Sequence, residues 1–554
     1  MDRNTALAGR RGRQQHSTIN TFSAVTTDLE PYAGVWEQAQ AAHLLRRTTF
    51  GPNKATLQLA LDQGLDATIL QLFTDLPLPE PPRYYDTEEG DDPNVLPEES
   101  WINMPLPEEG NVLPNRSRSL QAWTMGLLLN EEISIREQLC LFWHNHFAIN
   151  NSVNDPRFWY RYITTIRGQA WGNFRQLCKD ITIDPCMLRF LNGNQNEAGS
   201  PNENYARELL ELYTVGKGPF AGPGDYTTFT EQDVEAMARV LTGWTDTAYQ
   251  TTDPEEELTA VFQPEFHDVL PKQLSARFGG AVIADFGEEE YAHLIDVIFA
   301  QDEVARHICR KLYRWFVYYK IDEMTEAQVI LPLAQMLIDN DYEIAPVLQV
   351  LLRSNHFYSI LNQGPMIKHP IQFVLGPIRQ CGVAFPEEWQ EQYVLWQQLH
   401  ELTDRMDMAY YDIPEVAGWK AYYQQPLFYR NWINSISLQQ RSGYVRNLVV
   451  NGYTPGEITL RMDPLAFIAT LEDPLEPNVM IAEIATLLLP QPLETSQLTA
   501  LKEILIPGLP DFEWTLEYGN YLGSPDDETI RQAVESKLQD LFVGLFNMAE
   551  FHLS

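Results

Sequence analysis

Residues 134–147 read SIREQLCLFWHNHF. A serine followed three residues later by Glu137 is a helix-start signature, because each side chain can accept from the other's backbone N–H. Leu139, Phe142, Trp143, His146 and Phe147 then recur at helical spacing and do not alternate as a strand would. The segment is therefore read as a helix. Two positions along a helix rotate a side chain by about 200°, so His144 and His146 face apart and cannot share one ion. His146 belongs to the apolar stripe, while His144 shares its face with Cys140.

Similar signals flank this segment. Asp184 precedes Pro185, Ser200 precedes Pro201 and Glu203, and Thr230 precedes Asp233, each a pattern that opens a helix. Long helical periods occupy 56–73, 288–301, 304–320, 327–340 and 344–354. Strand-like material is confined to TAVFQ (259–263) and FGGAVIADF (278–286), read as a small hairpin beneath the loop that carries His267. The fold class is thus mainly α, a large multi-helix globular fold with a small β-hairpin element near residues 259–286. Residues 1–34 are polar and aperiodic and read as a flexible arm, 35–463 as the main helical domain, and 464–554 as a C-terminal helical part packed on it. Within the main domain, 77–110 is an irregular Pro-rich loop with ten acidic residues against one arginine, long enough to act as a lid or a partner contact.

Composition excludes several functions. With Lys+Arg 39 against Asp+Glu 76 and a net charge of −37, the mean field repels phosphate backbones, which excludes nucleic acid as a partner. Its five cysteines have no CxxC spacing and read as buried thiols. No run of 18 apolar residues is present, so no membrane span is expected. The basic start continues as QQHSTINTF and not as an apolar signal core, which reads as cytoplasmic. Gly-rich phosphate loops, GxSxG elbows, HExxH zincin motifs and EF-hands are absent from the sequence. The letters HNH invite a nuclease reading, but that site needs a ββα metal fold and a basic surface.

Eight segments follow in order: AAHLLRRTTFGP (41–52), LFWHNHF (141–147), GNFRQL (172–177), DPCMLRFLNGNQN (184–196), SPNENYARELLELYTVG (200–216), FTEQDVEAMARVLTGW (229–244), FHDVLPK (266–272) and VAGW (416–419). Together they resemble the bacterial domain-of-unknown-function family 1800, from about residue 36 to the C-terminus. The resemblance implies a large bacterial protein, often exported in relatives, and supplies no activity. The missing leader and the long acidic loop set this chain apart from many relatives.

Candidate chemistry comes from the residues themselves. Glu203 sits where a carboxylate closes a cap; Asn204, Glu208 and Glu211 share one helical face, with Arg207 as a counter-ion. His267 and Asp268 lie in a Pro-flanked stretch ahead of Lys272, where a scaffold commonly places function. Arg46 and Arg47 either clamp an anionic substrate or pair internally with the many acids. The leading expectation is a His/carboxylate pocket around a divalent transition metal, with His144 or His146 joined by Glu208, Glu211 and His267 as ligands. Asp268 would orient a ligand, and His267 and Asp268 would carry metal-assisted hydrolysis or oxidation. Asn204, Arg207, Arg46 and Arg47 would bind substrate. The rival expectation is a non-catalytic helical platform whose acidic loop and aromatic C-terminal half bind a partner protein or a glycan. The aromatic runs 157–163, 312–320 and 421–432 suit either sugar stacking or core packing.

Overall fold

Asp184 and Thr230 open helices as their spacing predicts: Asp184 accepts from the N–H groups of Cys186 (3.0 Å) and Met187 (3.2 Å), and Thr230 and Asp233 close a reciprocal capping box. The computed structural model describes residues 28–85, 92–96, 98–454 and 458–554. Its first half runs α1 (Gln38–Thr48), α2 (Lys54–Leu72), α3 (Leu113–Asn130), α4 (Arg136–His146), α5 (Pro156–Gly168), α6 (Phe174–Thr182), α7 (Pro185–Phe190), α8 (Glu203–Glu208), α9 (Glu231–Val240), α10 (Glu290–Phe299) and α11 (Asp302–Phe316). The second half adds α12 (Glu323–Thr325), α13 (Leu331–Asp339), α14 (Ile344–Arg353), α15 (Pro370–Gln380), α16 (Trp389–Asp404) and α17 (Ser435–Arg446). It ends with α18 (Pro464–Ile468), α19 (Pro477–Leu488), α20 (Thr495–Leu505), α21 (Phe512–Gly523) and α22 (Glu528–Phe546). One cluster of buried apolar side chains runs from Ala41 to Phe551, and α15 packs on α19 while α17 packs on α22. All five cysteines are buried and unbridged.

Among the described residues, β-structure is limited to two-stranded antiparallel pairs, the first of them β1 (Phe220–Gly222) with β2 (Asp225–Tyr226). The expected partnership of TAVFQ with FGGAVIADF does not form. Instead β3 (Trp244–Asp246) pairs with β4 (Ala260–Phe262), and β5 (Lys272–Gln273) pairs with β6 (Val282–Ile283). The two short pairs leave His267 on the segment between them. Gly243 makes this possible: its φ is +88°, and a Cβ there would meet Gln263 O at 3.0 Å and the His267 side chain at 3.1 Å.

Two predicted caps are displaced. The helix after Ser134 begins at Arg136; Ser134 Oγ accepts from Arg136 N–H (3.1 Å), and Glu131, not Ser134, accepts from the N–H of Glu137 (2.9 Å). Glu137 is drawn away by a buried arginine, Arg167. Likewise Asn202, not Ser200, caps α8 through Asn204 N–H (2.9 Å). Glu131 has a second carboxyl oxygen that is buried without a partner, and burial, reinforced by the charge of Glu137, raises its pKa from 4.5 to about 8. Between those values the folded chain holds a proton that the unfolded chain has released, so this group makes stability fall as pH rises from about 4.5 to about 8. Glu131→Gln is therefore expected to raise the melting temperature relative to the parent more at pH 8 than at pH 5, measured by calorimetry. An equal difference at both pH values contradicts it.

The described parts of the arm and of the loop are bonded to the rest of the chain. Residues 1–27 of the arm lie outside the described residues; beyond them, Glu30 and Tyr32 bond to the backbone of Asn355 and Arg353 at 2.8 Å each. In the 77–110 loop, residues 86–91 and 97 lie outside the description, but Trp101 is fully buried, its indole N–H on Ser119 Oγ (3.0 Å). Arg116 of α3 holds Asp92 at 2.7 Å with both side chains buried. The described part of the loop is thus fastened to α3.

Arg46 and Arg47 are buried and pair internally, although with carbonyls and not with carboxylates. Arg46 donates to Thr486 O (3.2 Å) and Leu487 O (2.9 Å) at the end of α19, and Arg47 donates to Trp315 O (3.0 Å) and Phe316 O (2.9 Å) at the end of α11. Both therefore close helix C-termini, whose orphan carbonyls favour a cation. Burial lowers each guanidinium to about 10.

Candidate functional site

The loop between β4 and β5 buries His267 against Thr242 on one side and α10 on the other. Its Nδ1 lies 2.9 Å from the backbone oxygen of Thr242, which can only accept, so Nδ1 carries the hydrogen. That leaves Nε2 facing Glu290 Oε2 at 3.0 Å. Glu290, the first residue of α10, is fully buried; its Oε2 also receives the N–H of Phe286 (3.3 Å), and its Oε1 lies 2.5 Å from the ammonium of Lys272, itself fully buried. Exposed Asp285 completes the group. Among the described residues, His267, Asp285 and Glu290 form the one set of three His, Cys, Asp or Glu side chains whose ligand atoms all lie within 4.8 Å of one another.

Asp268 does not orient His267. Its carboxylate turns to Arg239, at 2.6 Å from Nε, and that hydrogen bond holds the carboxyl below its usual range. The orienting role falls to the Thr242 carbonyl, and the Asp268 N–H binds Thr242 Oγ1 at 2.9 Å.

The HNH helix lies elsewhere in the chemistry. His144 stacks on Tyr410 (centroids 4.7 Å apart); its Nδ1–H faces Tyr162 Oη (3.3 Å) and its Nε2 accepts from Tyr411 N–H (3.1 Å). Burial lowers its pKa to about 3. His146 donates from Nε2 to Tyr213 O (3.1 Å) and accepts at Nδ1 from Lys311 (2.9 Å); burial first, then the Lys311 charge, push it well down. Between them Asn145 Oδ1 accepts from Trp419 N–H (2.9 Å). Gly418 is required there, since its φ is +95° and a Cβ would meet Asn145 Oδ1 at 2.5 Å. The three polar residues thus staple α4 to Tyr162 of α5, to Tyr213, to Lys311 of α11 and to the segment 411–419, and every ring nitrogen has its partner.

Asn204, Arg207, Glu208 and Glu211 gather on and just beyond α8 as expected, but as part of an ion-pair surface. Arg207 binds Glu231 of α9 (2.6 Å) and Glu203 (3.1 Å), Glu211 binds Lys217 (3.0 Å), and Asn204 donates to Leu191 O (3.2 Å). Burial and then the neighbouring Glu211 raise the Glu208 carboxyl. Neither these carboxylates nor His144 or His146 enters the group at His267.

The model of one family, described as "Protein of unknown function (DUF1800)", matches residues 43–513 of the 554. The chain belongs to the DUF1800 family. No curated protein and no solved structure matches it. No helix among the described residues is long and apolar enough to cross a membrane.

Within this DUF1800 chain, the motifs FTEQDVEAMARVLTGW and FHDVLPK meet at the His267 group, through Thr242, Gly243 and Lys272. Motifs LFWHNHF and VAGW meet through Asn145 and Gly418–Trp419. Glu290 and Asp285 were not singled out from the sequence. Glu290 ends an EEE run that resembles any solvated helix start, and only its complete burial distinguishes it.

Proposed function

We propose that the chain holds one divalent cation at His267, Asp285 and Glu290, in an open centre suited to metal-assisted hydrolysis. The observation that carries this reading is His267 Nε2 aimed at a carboxylate oxygen 3.0 Å away, with Nδ1–H already committed to a backbone carbonyl. Two electron-pair donors at that distance require a cation or a proton between them. A histidine that anchors its other N–H on a carbonyl is the usual arrangement around a ligated metal. Ligand bonds of about 2.0–2.1 Å in a tetrahedral shell separate two donor atoms by roughly 3.3 Å, so only a slight opening is needed.

Three protein ligands, one of them exposed, leave a position for water, which is the catalytic and not the structural pattern. An ion there would lower the pKa of its water and supply the hydroxide nucleophile. Lys272 opposes the ion by like charge, since it already compensates Glu290. Titration of chelator-stripped protein with Zn²⁺ by calorimetry tests the reading. One equivalent is expected, Asp285→Asn should weaken it roughly tenfold, and Lys272→Met should tighten it by removing the competing ammonium. Absence of binding in both parent and Lys272→Met overturns the proposal and leaves a lysine-and-proton lock.

A further inference from the structure

A cavity of about 640 Å³ lies between α3, α16, the start of the acidic loop and the turn ahead of α4. Its size falls within the range of about 300–1,000 Å³ typical of small-molecule sites. One wall is supplied by Trp389, Tyr393 and Trp396, spaced four and three residues apart and therefore on one face of α16. Trp123 of α3 adds a third indole.

These rings are held before any ligand arrives. Trp389 and Tyr393 meet edge to face at 5.5 Å, Tyr393 and Trp396 lie 5.4 Å apart, and Tyr393 Oη accepts the N–H of Arg83 (3.1 Å). The Trp123 indole N–H is fixed on Glu80 O (2.8 Å), with the Arg167 guanidinium 5.0 Å from the ring centroid. Trp396 lies against Gly126 so closely that a Cβ there would sit 2.6 Å from the ring. Pre-set aromatic walls spare a ligand the cost of ordering them.

The rest of the lining supplies hydrogen-bonding groups of both kinds: Arg83 and Arg136 donate, Glu80 and Glu132 accept, and Asn130 and Gln392, whose amides donate to Gly126 O (2.9 Å) and Pro386 O (2.8 Å), add carbonyl acceptors. Flat apolar rings interleaved with donors and acceptors complement a molecule with apolar C–H faces and hydroxyl edges. The lining sets Glu80, Glu131, Glu132 and Glu137 against Arg83 and Arg136, an acidic excess that, in a chain of net charge −37, repels anionic ligands.

We infer that this cavity binds a neutral pyranose unit of a glycan, stacked on the α16 indoles, at a site separate from the His267 group. The test is tryptophan-fluorescence titration of the full chain with cellohexaose, laminarihexaose and maltohexaose, with polygalacturonate as the charged comparison. At least one neutral hexasaccharide should bind with a Kd below about 1 mM. Trp389→Ala should weaken it roughly tenfold, Trp389→Phe should restore part of the affinity, and Asp285→Asn should leave it unchanged. The inference is overturned if no neutral sugar binds, if only polygalacturonate does, or if binding survives both Trp389→Ala and Trp396→Ala.

Discussion

Glu137→Ala is expected to cost about 3–5 kcal/mol of stability. Arg167 of α5 grips both oxygens of Glu137 at 2.9 Å each, with side-chain exposures of 1% and 4%. The buried guanidinium would lose both charge-assisted bonds, and Arg167 Nη1 already has no hydrogen-bond partner. The penalty comes from the orphaned charge and not from the strength of the bond. Arg167→Met combined with Glu137→Leu should accordingly recover most of the loss, because apolar side chains of similar size need no compensation. Calorimetric melting of the two single variants and the double variant decides this. A double variant as unstable as the sum of the singles contradicts the explanation.

His144→Ala is expected to cost about 3 kcal/mol while leaving Zn²⁺ affinity unchanged. The substitution opens a void in a packed aromatic cluster and removes the acceptor for the buried N–H of Tyr411. It also changes the acid response. A histidine held near 3 in the fold is protonated near 6.5 once unfolded, so its stabilising effect is complete above about 6.5 and is lost as pH falls towards about 3. The variant should lose less stability than the parent between those values. If instead Zn²⁺ binding disappears with stability unchanged, the helix carries chemistry and the assignment to His267 fails.

Local signals carried the architecture well because caps and periodicity are short-range. The Asp184 and Thr230 starts and the helical reading of 134–147 needed only neighbours a turn away. From that reading alone, His144 and His146 could not share an ion. What the sequence hid was long-range pairing. A surplus of acids suggested that Arg46 and Arg47 would meet carboxylates, yet a buried carboxylate is costly and helix ends already present negative carbonyl dipoles, so the arginines went there. Asp268 stood beside His267 in sequence but could not reach round to its ring. A residue in extended backbone directs its neighbour's side chain to the opposite side, here towards Arg239. Glu290, twenty-three residues on, took the place beside Nε2 because the β5–β6 pair folds the intervening chain back onto the start of α10.

The central claim is that an ion enters at His267, Asp285 and Glu290 and not at the HNH helix. Anomalous diffraction from crystals grown with Zn²⁺, collected just above the zinc absorption edge, tests it directly. The account predicts one strong peak between His267 Nε2, Glu290 and Asp285, with the Lys272 ammonium moved off Glu290. A peak beside His144, His146, Glu208 or Glu211, or an empty centre with Lys272 still bridging Glu290, would contradict it.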